Sequence, residues 1–104
     1  MTKDERQYVD EASRLGCLVC HLLHGVRGTP AEIHHRRTGT GAGKRSGWDQ
    51  IIPLCTACHR GFTPEGKACG IHSMGRKAWE RWLGHTEVEL IEMSRATIEG
   101  NVRR

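Results

Sequence analysis

Two pairs of cysteines constrain this chain more than any other feature in it. Cys17-Leu18-Val19-Cys20 and Cys55-Thr56-Ala57-Cys58 each read Cys-x-x-Cys, with residues 21–54 between them. Two intervening residues let both sulfurs face one point from a tight turn, so each pair supplies half of a tetrahedral site. Together Cys17, Cys20, Cys55 and Cys58 make a closed Cys₄ set, which reads as structural Zn²⁺ joining distant segments. Buried thiols and redox pairs are the competing readings. Cys69 is left over and reads as a small buried hydrophobe.

Composition agrees with a need for such a staple. The chain has 104 residues, 37% of them hydrophobic, with one Phe, one Tyr and three Trp. A single domain with so thin a core usually relies on metal or disulfides to hold one structure. The start, Met1-Thr2-Lys3-Asp4-Glu5-Arg6, is charged with no apolar run behind it, and no stretch reaches the ~20 apolar residues of a membrane span. A cytoplasmic, reducing setting with no membrane partner is therefore expected, where thiolates persist as metal ligands. The net charge of +4 suits a polyanionic partner without requiring one.

The pattern along the chain predicts an α+β fold in three parts. Residues 1–16 form an N-terminal helix, with Tyr8, Val9, Ala12 and Leu15 at helical spacing and Gly16 able to end it. Residues 17–84 hold nearly all the Cys and His. Within them Arg36-Arg37-Thr38-Gly39-Thr40-Gly41-Ala42-Gly43-Lys44-Arg45-Ser46 is a basic glycine-rich loop. It reads either as a solvated linker or as a phosphate-tracking loop working through Arg36, Arg37, Lys44 and Arg45. It is not a P-loop, since the Gly-Lys-[Ser/Thr] ending is missing. A helical patch from Ser73 to Leu83 carries Trp79 and Trp82, read as core residues rather than base-stacking ones. Residues 85–104 form a final helix with a basic tail, started by a Thr86/Glu89 capping box and carrying Val88, Leu90, Ile91 and Ile98.

A closed zinc site explains stability, and the histidines are left to carry activity. His34-His35 follows Ala31-Glu32-Ile33 in a short strand, where adjacent residues point to opposite faces. One imidazole can then hold a metal while its neighbour faces elsewhere. His59 directly follows the second cysteine pair, and His72 lies further on.

Cys-x₂-Cys, then His-His, then Cys-x₂-Cys-His resembles the HNH endonucleases, whose ββα-metal motif wraps a catalytic divalent ion and is often tied by a Cys₄ zinc. Ile51-Ile52-Pro53-Leu54-Cys55-Thr56-Ala57-Cys58-His59-Arg60 looks like the entry to that motif's helix, and Ile33-His34-His35 like its first strand. The basic loop, Asp49 before Ile-Pro-Leu-Cys, and a later Gly-Ile-His are similar to phage-encoded recombination-enhancement nucleases. The likeness covers about Cys17 to Gly84.

This resemblance implies a zinc-stapled ββα-metal domain with flanking helices, acting as a DNA endonuclease. It implies His35 as general base, His34 as metal ligand and His59 as the helix-borne ligand. Many members have Asp where His34 stands, so this site is softer than the commoner one. His72 is a further candidate ligand. The middle Asn of the family name has no counterpart, and Asp49 in its neighbourhood could orient His35, bind metal or cap a turn. The implied catalytic ion is Mg²⁺, Mn²⁺, Ni²⁺ or Zn²⁺. The implied partners are DNA and a recombinase filament, in a bacterial host cell if the protein is phage-encoded. No feature specifies an oligomeric state.

Two other functions compete. A non-catalytic zinc module binding nucleic acid or protein needs only the cysteines and the positive charge, and gives no reason for the placing of His34, His35 and His59. A zinc-dependent deaminase needs a His-x-Glu before the second cysteine pair, and none is present.

Overall fold

The first helix, α1 (Lys3–Leu15), begins where sequence chemistry says it should. Thr2 Oγ1 accepts from the Glu5 amide at 3.2 Å and Glu5 Oε2 accepts from the Thr2 amide at 3.0 Å, a reciprocal cap. Tyr8 and Ala12 form its buried stripe. It ends at Gly16, whose φ of 78° favours glycine and whose missing side chain has no room: a Cβ there would lie 2.7 Å from the Gly28 backbone. The computed structural model describes residues 2–36, 47 and 49–102.

The chain then turns through α2 (Leu18–His24), N-capped by the Cys17 sulfur, which accepts from the Cys20 amide at 3.4 Å. Two strands follow, β1 (Glu32–His35) and β2 (Ile51–Leu54). They pair antiparallel, with Glu32 opposite Leu54, Ile33 opposite Pro53, His34 opposite Ile52 and His35 opposite Ile51. Pro53 donates nothing to a ladder, and a two-stranded sheet tolerates it because each strand has a free edge. Among the described residues, three short helices follow, α3 (Thr56–Arg60), α4 (Ile71–Met74) and α5 (Arg76–Leu83), and then the longer α6 (Glu87–Val102).

Strand alternation divides the apolar residues into two clusters. Ile51 packs with Tyr8, Ala12 and Ile98, with Ile33 against them. Ile52 and Leu54 pack with Leu18, Val19, Ile71, Trp79, Leu83, Leu90 and Ile91, and the four paired cysteines border this second cluster. Helix α6 reaches both clusters, so it clamps the sheet between α1 and the cysteine-bearing elements. All four residues of β2 are buried.

The result is an α+β arrangement. The capping box expected at Thr86 and Glu89 is present, with reciprocal bonds of 2.9 and 3.1 Å. Two expectations need correction. The helical patch from Ser73 to Leu83 is two helices, because Gly75 at φ 91° interrupts it. Trp82 is not a core residue: it is 56% exposed while Trp79 is fully buried. The buried stripe of α5 runs from Trp79 to Leu83, four positions on, which turns Trp82 outward. Among the described residues, no helix is long and apolar enough to cross a membrane.

Candidate metal centres

Cys17 and Cys20 sit at the start of α2, and Cys55 and Cys58 straddle the start of α3. The packing of α2 on β2 brings the two pairs together. All four sulfurs lie within 4.8 Å of one another, close enough to hold one metal ion. Sulfurs ~2.3 Å from a tetrahedral centre stand about 3.8 Å apart, and Cys20 Sγ lies 3.8 Å from Cys55 Sγ. None of the cysteines is in a disulfide.

The charge logic of the four sulfurs also calls for a cation. A hydrogen bond from Cys58 holds the Cys17 thiol down at about 5. The same bond pushes Cys58 up, and burial pushes Cys20 up to about 11. One thiolate forms readily, and its negative charge then opposes ionisation of its neighbours. A divalent cation removes that opposition, so the donor set is compatible with structural zinc.

The second cluster is built from histidines. His34 projects from β1, His59 from the end of α3 and His72 from α4, and their ligand-capable nitrogens also lie within 4.8 Å of one another. Ring centroids are 5.3 Å apart for His34–His59, 5.2 Å for His34–His72 and 4.7 Å for His59–His72. Strand alternation places Glu32 and His34 on the same side, toward α3, and leaves His35 exposed on the other. Close backbone approach brings His72 in. A Cβ on Gly70 would meet the Arg60 nitrogen at 2.5 Å, so only glycine lets α4 abut the end of α3. Ser73 fastens that junction, its Oγ donating to the Gly61 carbonyl at 2.6 Å and accepting from the Gly70 amide at 3.0 Å.

Two histidines of this group each have one ring nitrogen held by a carboxylate. His34 Nε2 lies 2.6 Å from Glu87 Oε2, and His34 Nδ1 is buried with no hydrogen-bond partner. His59 Nδ1 lies 2.8 Å from Glu32 Oε1. Glu32 is shared with Arg60, whose guanidinium bonds it at 3.1 and 2.8 Å. Those bonds, then the one to His59, hold its carboxyl down at about 2. A carboxylate on the outer nitrogen is the usual support of a metal-bound imidazole, because it fixes ring orientation and tautomer. The orphaned buried Nδ1 of His34 and the three converging imidazoles fit a metal ion.

The structure thus gathers Cys17, Cys20, Cys55 and Cys58 in one group and His34, His59 and His72 in another. Asp49 joins neither. Its Oδ2 accepts from Arg95 of α6 at 3.0 Å, so Asp49 ties the approach to β2 to α6. Arg36 bonds the Gln50 side chain at 2.8 Å. Arg37, Lys44 and Arg45 lie outside the described residues. Cys69 is half-buried rather than buried, its sulfur donating to the Ala57 carbonyl at 3.5 Å.

The sequence reading passed over Glu32 and Glu87. Glu32 had a signal, two positions before His34 on an alternating strand. Glu87 had none, since an acid in the first turn of a helix already has a reason to be there.

No curated protein matches the chain. The family model described as "Recombination enhancement, RecA-dependent nuclease" matches residues 1–97. With nearly its whole length matched, the chain belongs to the recombination enhancement, RecA-dependent nuclease family.

Proposed function

We propose that this protein is a metal-dependent endonuclease of the HNH type, hydrolysing phosphodiester bonds of DNA in concert with a RecA filament. The observation that carries the reading is the convergence of His34, His59 and His72, with one ring nitrogen of His34 held by Glu87 and one of His59 held by Glu32. The order β1, β2, α3, with His34 on the first strand and His59 on the helix, is the arrangement the HNH resemblance leads one to expect.

In this reading His34, His59 and His72 hold the catalytic ion, one of Mg²⁺, Mn²⁺, Ni²⁺ or Zn²⁺. A divalent ion there supplies charge neutralisation at the attacked phosphate and at the departing oxygen. His35, exposed and one residue from the ligand His34, takes the proton from the attacking water. An imidazole suits that task because its basicity lies near neutrality. Arg36, Arg37, Lys44 and Arg45 follow the DNA backbone. Asp49, engaged by Arg95, has a positioning part in holding β2 and its approach. Cys17, Cys20, Cys55 and Cys58 hold zinc as a staple and take no part in the chemistry.

The test is incubation with plasmid DNA under Mg²⁺, Mn²⁺, Ni²⁺, Zn²⁺ or EDTA, with and without RecA filaments on single-stranded DNA. Metal-dependent cleavage abolished by EDTA is expected. An inert protein under every metal, with single- and double-stranded substrates and with RecA, sinks the nuclease reading and leaves the zinc-binding module.

A further inference from the structure

We infer that Glu87 is a positioning residue of the histidine centre, accepting a hydrogen bond from His34 Nε2–H and so presenting Nδ1 to the ion. The inference rests on the metal-centre reading above and assigns a part to a residue 53 positions away in sequence.

Burial makes the interaction consequential. Both side chains are completely inaccessible to water, and the nitrogen–oxygen separation is 2.6 Å. An ionised carboxylate only accepts, so the proton of the neutral imidazole belongs on Nε2. That leaves the lone pair on Nδ1, the atom that is buried and has no hydrogen-bond partner. A buried polar atom without a partner points to a missing ligand. His59 is held in the opposite sense, with Nδ1 on Glu32 and Nε2 left over, so the two rings offer different nitrogens.

Glu87 is itself fixed from several directions. Its amide donates to Glu80 Oε2 at 2.6 Å, and Glu80 Oε1 accepts from Arg76 at 2.8 Å. The Thr86/Glu89 box sets the first turn of α6 on either side of it. The carboxylate therefore has little freedom to leave His34, and its negative charge raises the basicity of the ring that meets the ion. Glu32 is a weaker analogue, because its side chain is 32% exposed and shared with Arg60.

The alternative is a buried ion pair that only stabilises the fold, and metal affinity separates the two. Full-length protein carrying one equivalent of Zn²⁺ is titrated with Co²⁺, following the visible absorption of the bound ion. A lack of new thiolate charge-transfer absorption places the cobalt outside the cysteine site. Glu87→Gln, which keeps an acceptor but loses the charge, should bind Co²⁺ roughly 10–100-fold more weakly than the parent. Its thermal midpoint before cobalt is added should stay close to the parent's. Equal affinity in parent and variant overturns the inference while leaving the metal centre standing. A parent that takes up no cobalt outside the cysteines overturns the metal-centre reading itself. If Glu87→Gln does not fold, the imidazole ¹⁵N spectrum of the zinc-saturated parent decides. His34 protonated on Nε2 supports the inference, and protonation on Nδ1 overturns it.

Discussion

Gly70 lies so close to Arg60 that a Cβ on it would stand 2.5 Å from the Arg60 backbone nitrogen and 2.7 Å from the His59 carbonyl carbon. Its own φ of −104° is ordinary, so glycine is needed for space and not for conformation. Gly70→Ala must push α4 away from α3, carrying His72 from His59. We expect destabilisation of about 1–3 kcal/mol, the usual range for overpacking, together with weaker uptake of Co²⁺ at the histidines. Urea unfolding and the cobalt titration measure both. A variant as stable as the parent, with unchanged cobalt affinity, shows that the junction yields freely.

Chelation should unfold the protein. The buried apolar clusters are small, and the four cysteines join α2 to α3 across the second of them. Removing metal at neutral pH should collapse far-UV circular dichroism, and added Zn²⁺ should restore it. Cys55→Ser should mimic the chelated state. A protein that stays folded after metal analysis reports no zinc refutes the structural role.

His35→Ala should fold, keep its zinc and bind DNA, yet cleave ~10²–10⁴-fold more slowly, the usual cost of losing a general base. His59→Ala should instead lose affinity for the catalytic ion and recover in part at high metal concentration. His34→Ala is a poorer probe, because it strands the buried Glu87, and breaking such a pair costs about 3–5 kcal/mol. Cleavage by His35→Ala at the parent's rate in metal-replete buffer removes His35 from the mechanism.

Neutralising Arg36, Arg37, Lys44 and Arg45 together should weaken DNA binding and flatten the plot of log affinity against log salt. Each lost phosphate contact reduces that slope by about 0.9 on duplex DNA. An unchanged slope means that the loop is a linker.

The candidate site was legible in the sequence to the extent that local spacing and strand alternation reach. Cys-x-x-Cys sets two sulfurs together through a single turn, and the His34–His35 pair on a strand separates into one buried and one exposed ring. Asp49 was a different case. A carboxylate just before a buried strand has several possible partners, and Arg95 arrives from α6, 46 positions on, to meet it.

What the sequence determined by itself is therefore short-range: the caps at Thr2 and Thr86, the helix stop at Gly16, and the two halves of the cysteine site. These follow from contacts within about one turn, where the chain has few alternatives. Tertiary structure alone decided that His72 meets His34 and His59, that Glu87 reaches His34, and that Trp82 faces outward while Trp79 is buried. Each depends on how α4, α5 and α6 pack over the sheet. That packing balances apolar burial over the whole chain, which spacing within any one segment does not encode.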